Sequence, residues 1–86
     1  MHFVYILESL KDGYYYIGST HDVAHRLEQH NAGRQAATRY RRPFELVYVE
    51  SYSDPAAARR REHFIKKQKS RLFIEALIHC PRADRP

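Results

Sequence analysis

The sequence predicts an α+β domain, in which a small three-stranded, mainly antiparallel sheet is flanked by helices in the order β-β-α-β-α-α. Two neighbouring segments near the amino terminus are rich in aromatic and β-branched residues and are separated by a turn, which is typical of a hairpin. A third such segment lies in the middle of the chain, and the remainder carries helix caps and helical spacing of apolar residues. Because 86 residues leave room for one hydrophobic core, we expect a single domain over residues 1–80 and a frayed tail over residues 81–86.

The predicted hairpin lies at the start of the chain. Residues 2–10 contain no turn-forming residue and have the composition of a strand. The next three residues, Lys11-Asp12-Gly13, predict a turn, because aspartate favours turns and glycine tolerates positive φ. Strand character resumes from Tyr14 to Ser19, so the two segments are expected to pair.

The first predicted helix runs from about Val23 to Asn31. Thr20 or Asp22 can cap its amino terminus with a side-chain oxygen, and the two alternatives stay open here. Asn31-Ala32-Gly33 ends the helix, since asparagine and glycine are common at helix carboxyl ends.

The second half of the chain predicts one strand and two helices. A basic loop over residues 34–43 leads into a strong strand over residues 44–52. Asp54-Pro55 begins a helix, with the acid as cap and proline in the first turn, and this helix extends to about residue 69. Ser70 can cap a last short helix that reaches residue 79.

The formal charge of +5 and the pI of about 9.6 favour a polyanionic partner. The positive charge is concentrated in two regions. Residues 29–44 contain no acid, and residues 59–71 contain seven bases and a single acid, Glu62. Nucleic acid is therefore the predicted partner, and a basic face that docks an acidic protein is the alternative.

The composition also indicates the cellular compartment of the protein. A single cysteine, Cys80, forms no internal disulfide, which points to a reducing, cytoplasmic setting. The first ten residues lack a basic leader and have too few apolar residues for a signal peptide or a membrane span. We therefore expect no membrane association.

Tyrosines are predicted to converge on one face of the hairpin. Residues two apart in a strand share a face, so Tyr5 lies on one face of the first strand, and Tyr16 and Gly18 share a face of the second. If pairing brings these faces to the same side, two phenols lie beside a glycine that has no side chain. Tyr14 and Tyr15 are assigned to packing.

Charged and ionisable residues also lie along the inward stripes of two helices. Arg26 and His30 are neighbours at the edge of the apolar stripe of the first helix, where a guanidinium suits a phosphate. Glu62 shares a stripe with Ala58 and Ile65, which places a carboxylate on a face that should be buried. An inward acid beside phosphate-binding groups is suited to holding a divalent metal ion.

This ordered set of residues resembles the GIY-YIG nuclease domain. The resemblance rests on Tyr5, Tyr16-Ile17-Gly18, Arg26, His30 and Glu62 and extends from about Phe3 to Lys69. The stretches YYYIGSTHDVAHRLEQHNAG and RPFELVYVE look like small stand-alone bacterial members of that family. The resemblance implies a metal-dependent phosphodiesterase that cuts one DNA strand with a single divalent ion, Mg²⁺ or Mn²⁺.

The resemblance also implies a role for each site residue. Arg26 corresponds to the phosphate-binding arginine, Glu62 to the metal ligand, and His30 to a position where the family carries histidine or tyrosine. Gly18 corresponds to the glycine that leaves room for substrate. We assign Tyr5 as the general base and Tyr16 as the group that positions water or phosphate, and the reverse assignment stays open. DNA phosphates are expected to contact the basic loop through Arg34, Arg39, Arg41 and Arg42.

Two departures from the family pattern suggest a function other than DNA cleavage. The first motif reads Phe3-Val4-Tyr5, which keeps only its tyrosine, and the asparagine found late in many members is missing, since Asn31 is the only asparagine. A GIY-YIG-shaped module that binds nucleic acid without cutting it is therefore the first alternative. A zinc site at His21, His25 and His30 is a second. With no separate specificity domain in 86 residues, we expect weak sequence preference, recognition of a DNA shape or damage, a homodimer, or a partner that supplies specificity.

Overall fold

The computed structural model describes residues 1–79 of the chain. The strands are β1 (His2–Ser9), β2 (Tyr15–Thr20) and β3 (Phe44–Tyr52), and the helices are α1 (Val23–Asn31), α2 (Pro55–Gln68) and α3 (Arg71–His79). Both strand pairs are antiparallel and the sheet order is β2-β1-β3, so the predicted α+β fold is confirmed. Cys80 and the predicted tail lie outside the described residues.

The central strand β1 separates two layers of apolar packing. On one face, Val4, Ile6 and Ile17 pack with residues of α2 and α3, among them Ala58 and Ile65. On the other face, the buried cluster consists of Tyr5, Leu7 and Phe44. Tyr16 and the α1 residues Val23 and Leu27 pack against it. The sheet is thus covered on both faces, and β2 lies at one of its edges.

The helices begin at the residues that the sequence predicts. The Asp22 carboxylate accepts the backbone N–H of His25, whereas Thr20 Oγ1 accepts that of Asp22, so Asp22 is the cap of α1. Asp54 caps α2 by accepting the N–H of Ala56, and α2 ends where Lys69 takes a left-handed conformation with φ 48°.

The predicted loop between α1 and β3 contains one turn of 3₁₀ helix, Arg39–Arg41, which the sequence did not indicate. Asn31 anchors this region, because its side chain accepts the N–H of Phe44 at 2.7 Å and donates to the carbonyl of Phe44 at 3.2 Å. The only asparagine of the chain therefore ties the end of α1 to the start of β3.

A buried carboxylate joins β3 to α2. Glu50 is 2% exposed, and it accepts hydrogen bonds from the hydroxyl groups of Tyr48 and Tyr52 and from the guanidinium of Arg61. Burial alone raises the pKa of Glu50, but the hydrogen bonds from Arg61, Tyr48 and Tyr52 lower it overall. Through Arg61, which directly precedes Glu62, this cluster holds α2 against the sheet.

No helix within residues 1–79 has the length and apolar character that a membrane crossing requires.

Candidate active site

Tyr5 and Gly18 meet across the hairpin. Strand pairing places Tyr5 opposite Gly18 and Leu7 opposite Tyr16, so the two tyrosines lie on the same face as predicted. The Tyr5 side chain is almost fully buried and covers the glycine, since a Cβ atom at Gly18 would lie 2.5 Å from the Tyr5 hydroxyl oxygen. The space at Gly18 that we had assigned to substrate is thus filled by the Tyr5 phenol, which is the steric reason for glycine at this position.

The surroundings of Tyr5 favour a neutral phenol. Burial raises the pKa of Tyr5 well above its usual range, and the neighbouring Tyr16 raises it further, while Arg26 beside the hydroxyl acts in the opposite direction. The Tyr5 hydroxyl lies 3.4 Å from His30 Nε2. A buried neutral phenol is poorly suited to removing a proton from water, which weighs against Tyr5 as the general base in the metal-free protein.

His30 lies behind the two tyrosines rather than in the open site. It is fully buried, its ring centroid is 4.6 Å from that of Tyr16, and its Nδ1 lies 2.9 Å from Thr38 Oγ1. Burial and the Arg26 charge lower the pKa of His30, so the imidazole is neutral near pH 7. The resemblance places His30 at the site, and the structure puts it behind Tyr5 and Tyr16, with its Nε2 3.4 Å from the Tyr5 hydroxyl oxygen.

This placement also removes the zinc alternative. His21 and His25 are exposed while His30 is fully buried in the core. Within residues 1–79, no group of three or more His, Cys, Asp or Glu side chains is arranged to hold a metal ion.

Glu62 reaches the same strand edge from the opposite face of the sheet. Its Oε1 accepts the hydroxyl of Ser19 at 2.6 Å, and its Oε2 accepts the ammonium of Lys66 at 2.6 Å. Burial alone raises the pKa of Glu62, but Lys66 and Ser19 lower it overall, so the side chain is ionised at neutral pH. Ser19 directly follows Gly18, and Glu62 is close enough to influence the pKa of Tyr5.

Arg26 completes the group from α1. It is half-buried, and its guanidinium lies beside the Tyr5 hydroxyl, where it acts on the pKa of Tyr5 and of His30. The edge of β2 therefore brings together a phenol and a guanidinium from one side of the sheet and a carboxylate from the other. Ser19 was missed at the sequence level, although its place directly after the Tyr16-Ile17-Gly18 triplet was a usable signal.

Three of the four predicted loop arginines are exposed, and Arg41 is half-buried. Arg41 is paired with Asp12 at 2.6 Å and its guanidinium lies 4.2 Å from the centre of the Tyr14 ring, so it holds the loop to the hairpin turn. Arg42 packs over Gly33 and is exposed, as are Arg34 and Arg39.

A second basic surface lies on the outer side of α2. It is a groove of about 580 Å³ lined by Ala56, Arg59, Arg60, His63, Phe64 and Lys67. Arg59 lies close enough to Glu62 to lower the pKa of that carboxylate. The basic residues of α2 are therefore continuous with the edge of the site.

The donor set at Glu62 is a single oxygen ligand, which suits a hard divalent ion. Glu62 supplies a single carboxylate, and Mg²⁺ typically takes one or two protein carboxylates and completes its shell with water and substrate phosphate. A hard oxygen ligand that is already ionised and oriented by Ser19 meets that requirement. Glu62 is the residue that would hold the ion.

Comparison with known proteins identifies the family of the chain. A family model described as the GIY-YIG catalytic domain matches residues 1–74, and the chain belongs to the GIY-YIG family. It is similar to the UPF0213 protein VNG_2274C of Halobacterium salinarum, with 49% identity over 79 residues, which is 91% of this chain and 100% of that protein. It is similar to the UPF0213 protein YazA of Bacillus subtilis, with 40% identity over 86% of this chain and 78% of that protein.

A solved structure supports the same fold. The solution NMR structure of the UPF0213 protein BH0048 from Bacillus halodurans matches with a TM-score of 0.59 at 39% identity, covering 96% of this chain and 87% of that one. The names of these relatives state no activity. The family assignment itself indicates the nuclease superfamily, in which divalent metal ions are generally required.

Proposed function

We propose that the protein is a divalent-metal-dependent DNA endonuclease that hydrolyses phosphodiester bonds with low sequence specificity. The convergence of Tyr16, Arg26 and Glu62 around Tyr5 at the edge of β2 carries this proposal. Phosphodiester hydrolysis needs an oriented water, charge neutralisation at phosphorus and help for the leaving oxygen, and these groups are suited to those tasks.

Each of the two charged residues has a separate task. Arg26 presents a planar fork of donors that can bind two oxygens of the scissile phosphate and stabilise the charge that develops there. Glu62, oriented by Ser19, would hold Mg²⁺ or Mn²⁺, and that ion, when bound, supplies Lewis-acid stabilisation of the phosphate and of the leaving oxygen.

The two tyrosines are best assigned in the reverse of the expected order. Tyr16 is only half-buried, so its hydroxyl is the phenol that can face an attacking water. Tyr5 is buried between His30 and Gly18, and its hydroxyl is suited to holding the Arg26 guanidinium in place. We expect Tyr16→Phe to lower the cleavage rate by about 10²–10⁴-fold and Tyr5→Phe to lower it less. Initial rates of plasmid nicking measure the difference, and a larger loss for Tyr5→Phe would restore Tyr5 as the base.

Contacts to the nucleic-acid backbone would come from two surfaces. Arg59, Arg60 and Lys67 along α2 lie beside the site, and Arg34 and Arg39 on the loop are exposed. Lysine and arginine contacts to phosphates set the position of DNA but carry no sequence information, which is why we propose low sequence specificity. A homodimer or a partner that adds specificity stays a prediction.

The direct test is Mg²⁺-dependent nicking of supercoiled plasmid DNA. We expect Glu62→Gln and Arg26→Ala each to lower the rate by about 10²–10³-fold, because each removes a group that stabilises the transition state. Glu45→Gln is the matched control for Glu62→Gln, since Glu45 is an exposed carboxylate on β3. Parent-like cutting by both site variants would overturn the proposal.

A second experiment defines the preferred DNA. It compares cleavage of nicked, flapped, branched and single-stranded substrates, each with and without metal.

A nucleic-acid-binding module without cleavage is the second candidate. The absence of a late asparagine favours it, because Asn31 is engaged in joining α1 to β3 and does not fill that role. Salt-sensitive DNA binding, together with no metal-dependent cleavage of any substrate, would select this candidate.

A further inference from the structure

Both oxygens of the Glu62 carboxylate are already engaged by the chain's own groups. Ser19 donates its hydroxyl to Oε1 and Lys66 donates its ammonium to Oε2, each at 2.6 Å. A divalent ion that binds Glu62 therefore does not meet a free carboxylate. It meets one that already has a neutral donor on one oxygen and a positive charge on the other.

The two partners differ in what they do when an ion arrives. The hydroxyl of Ser19 carries no charge and can remain on Oε1, so it keeps the carboxylate oriented. The Lys66 ammonium repels a divalent cation at the same carboxylate, because like charges at contact distance disfavour each other even near the protein surface. Binding of the ion is thus coupled to departure of Lys66.

Lys66 is placed so that it can leave. Its side chain is 49% exposed, against 19% for Glu62, and it approaches from one helical turn further along α2. The long flexible stem of lysine lets the ammonium move into solvent without any change in the helix. The contact with Glu62 is therefore the kind of exposed pair that is weak enough to exchange.

We propose that Lys66 is a built-in competitor for the divalent ion: it neutralises Glu62 in the metal-free protein and must move away before the ion binds. Lys66 then sets the ion concentration at which the site fills. The proposal rests on the proposed function for its choice of Glu62 as the metal ligand.

The test measures metal binding in the absence of nucleic acid. Mn²⁺ broadens amide signals near its site, so ¹H–¹⁵N spectra of the intact 86-residue chain report where and at what concentration it binds. In the parent protein we expect broadening to centre on Ser19 and Glu62. In Lys66→Met we expect the same signals to broaden at a Mn²⁺ concentration lower by about fivefold, as removal of an exposed ion pair predicts.

Three variants serve as controls. Lys67→Met removes the same charge one residue along α2, where the side chain lines the outer groove, and should change the Mn²⁺ midpoint by less than about twofold. Lys66→Arg keeps the charge and should bind Mn²⁺ like the parent protein. Glu62→Gln should abolish the local broadening. The dispersion of each spectrum shows whether the variant is folded.

The possible outcomes separate this inference from the proposed function. A Mn²⁺ midpoint that is lower in Lys66→Met but not in Lys67→Met supports the competitor role, even if the protein cuts no DNA. Equal midpoints for Lys66→Met and the parent, or equal shifts for Lys66→Met and Lys67→Met, overturn it even if the protein is an active nuclease. Broadening that persists in Glu62→Gln overturns it as well, because the ion then binds elsewhere.

Discussion

Two carboxylates placed on neighbouring parts of the fold have opposite surroundings. Glu50, on β3, is held by the guanidinium of Arg61 and by two tyrosine hydroxyls, and its side chain is 1% exposed. Glu62, one residue after Arg61 on α2, has a neutral hydroxyl and a half-exposed lysine as partners. A carboxylate with buried partners ties two elements together, whereas one paired with an exposed lysine has the accessibility that the proposed ion site requires.

The largest expected effect is on stability and comes from Glu50. Replacing Glu50 with alanine removes the buried acceptor that Arg61, Tyr48 and Tyr52 share. We expect the free energy of unfolding to fall by about 3–5 kcal/mol, as for other broken buried ion pairs. Urea denaturation followed by circular dichroism measures this change. A loss below about 1 kcal/mol would mean that the cluster contributes no more than an exposed pair.

The second expected effect is a change in acid stability. The pKa of Glu50 is lowered in the folded protein, so its contribution is complete above the unfolded pKa near 4.5 and is lost as the pH falls through the lower folded value. Stability measured between pH 6 and pH 3 should therefore decline less steeply in Glu50→Gln than in the parent. Parallel pH profiles for the two proteins would show that Glu50 is not a source of the decline.

The smallest expected effect on stability comes from Glu62. Its ion pair with Lys66 is half-exposed, so we expect Glu62→Gln to change the free energy of unfolding by no more than about 1 kcal/mol. The same variant is expected to lose metal-dependent cleavage. Urea denaturation beside the nicking assay tests this contrast, and a stability loss as large as that of Glu50→Ala would erase the distinction between the two carboxylates.

Much of the local structure was predictable because it depends on short-range rules. The α1 bounds, the cap at Asp54 and the third strand match their predictions, since capping geometry and strand composition act within a few residues. The period of two in β-strands also predicted that Tyr5 and Tyr16 share a face.

The parts of the site that were missed depend on contacts across the fold. Sequence spacing placed Tyr5 on the correct face but not under the surface, so its burial over Gly18 was unexpected. The bond between Ser19 and Glu62 joins residues 43 positions apart, and no local pattern indicates it. Residue type and the lack of nearby acids predicted Arg41 as a DNA contact, whereas the fold pairs it with Asp12 of the hairpin turn.

The sequence alone determined the order of the elements, the identity of the chemical groups and the family, because each of these is encoded in residue types and in spacing along one segment. The tertiary structure alone decided which phenol is buried, which carboxylate is structural and which groups pair with Glu62. Those properties depend on burial and on the charge of neighbours brought from the far side of a sheet, and spacing along the chain contains neither.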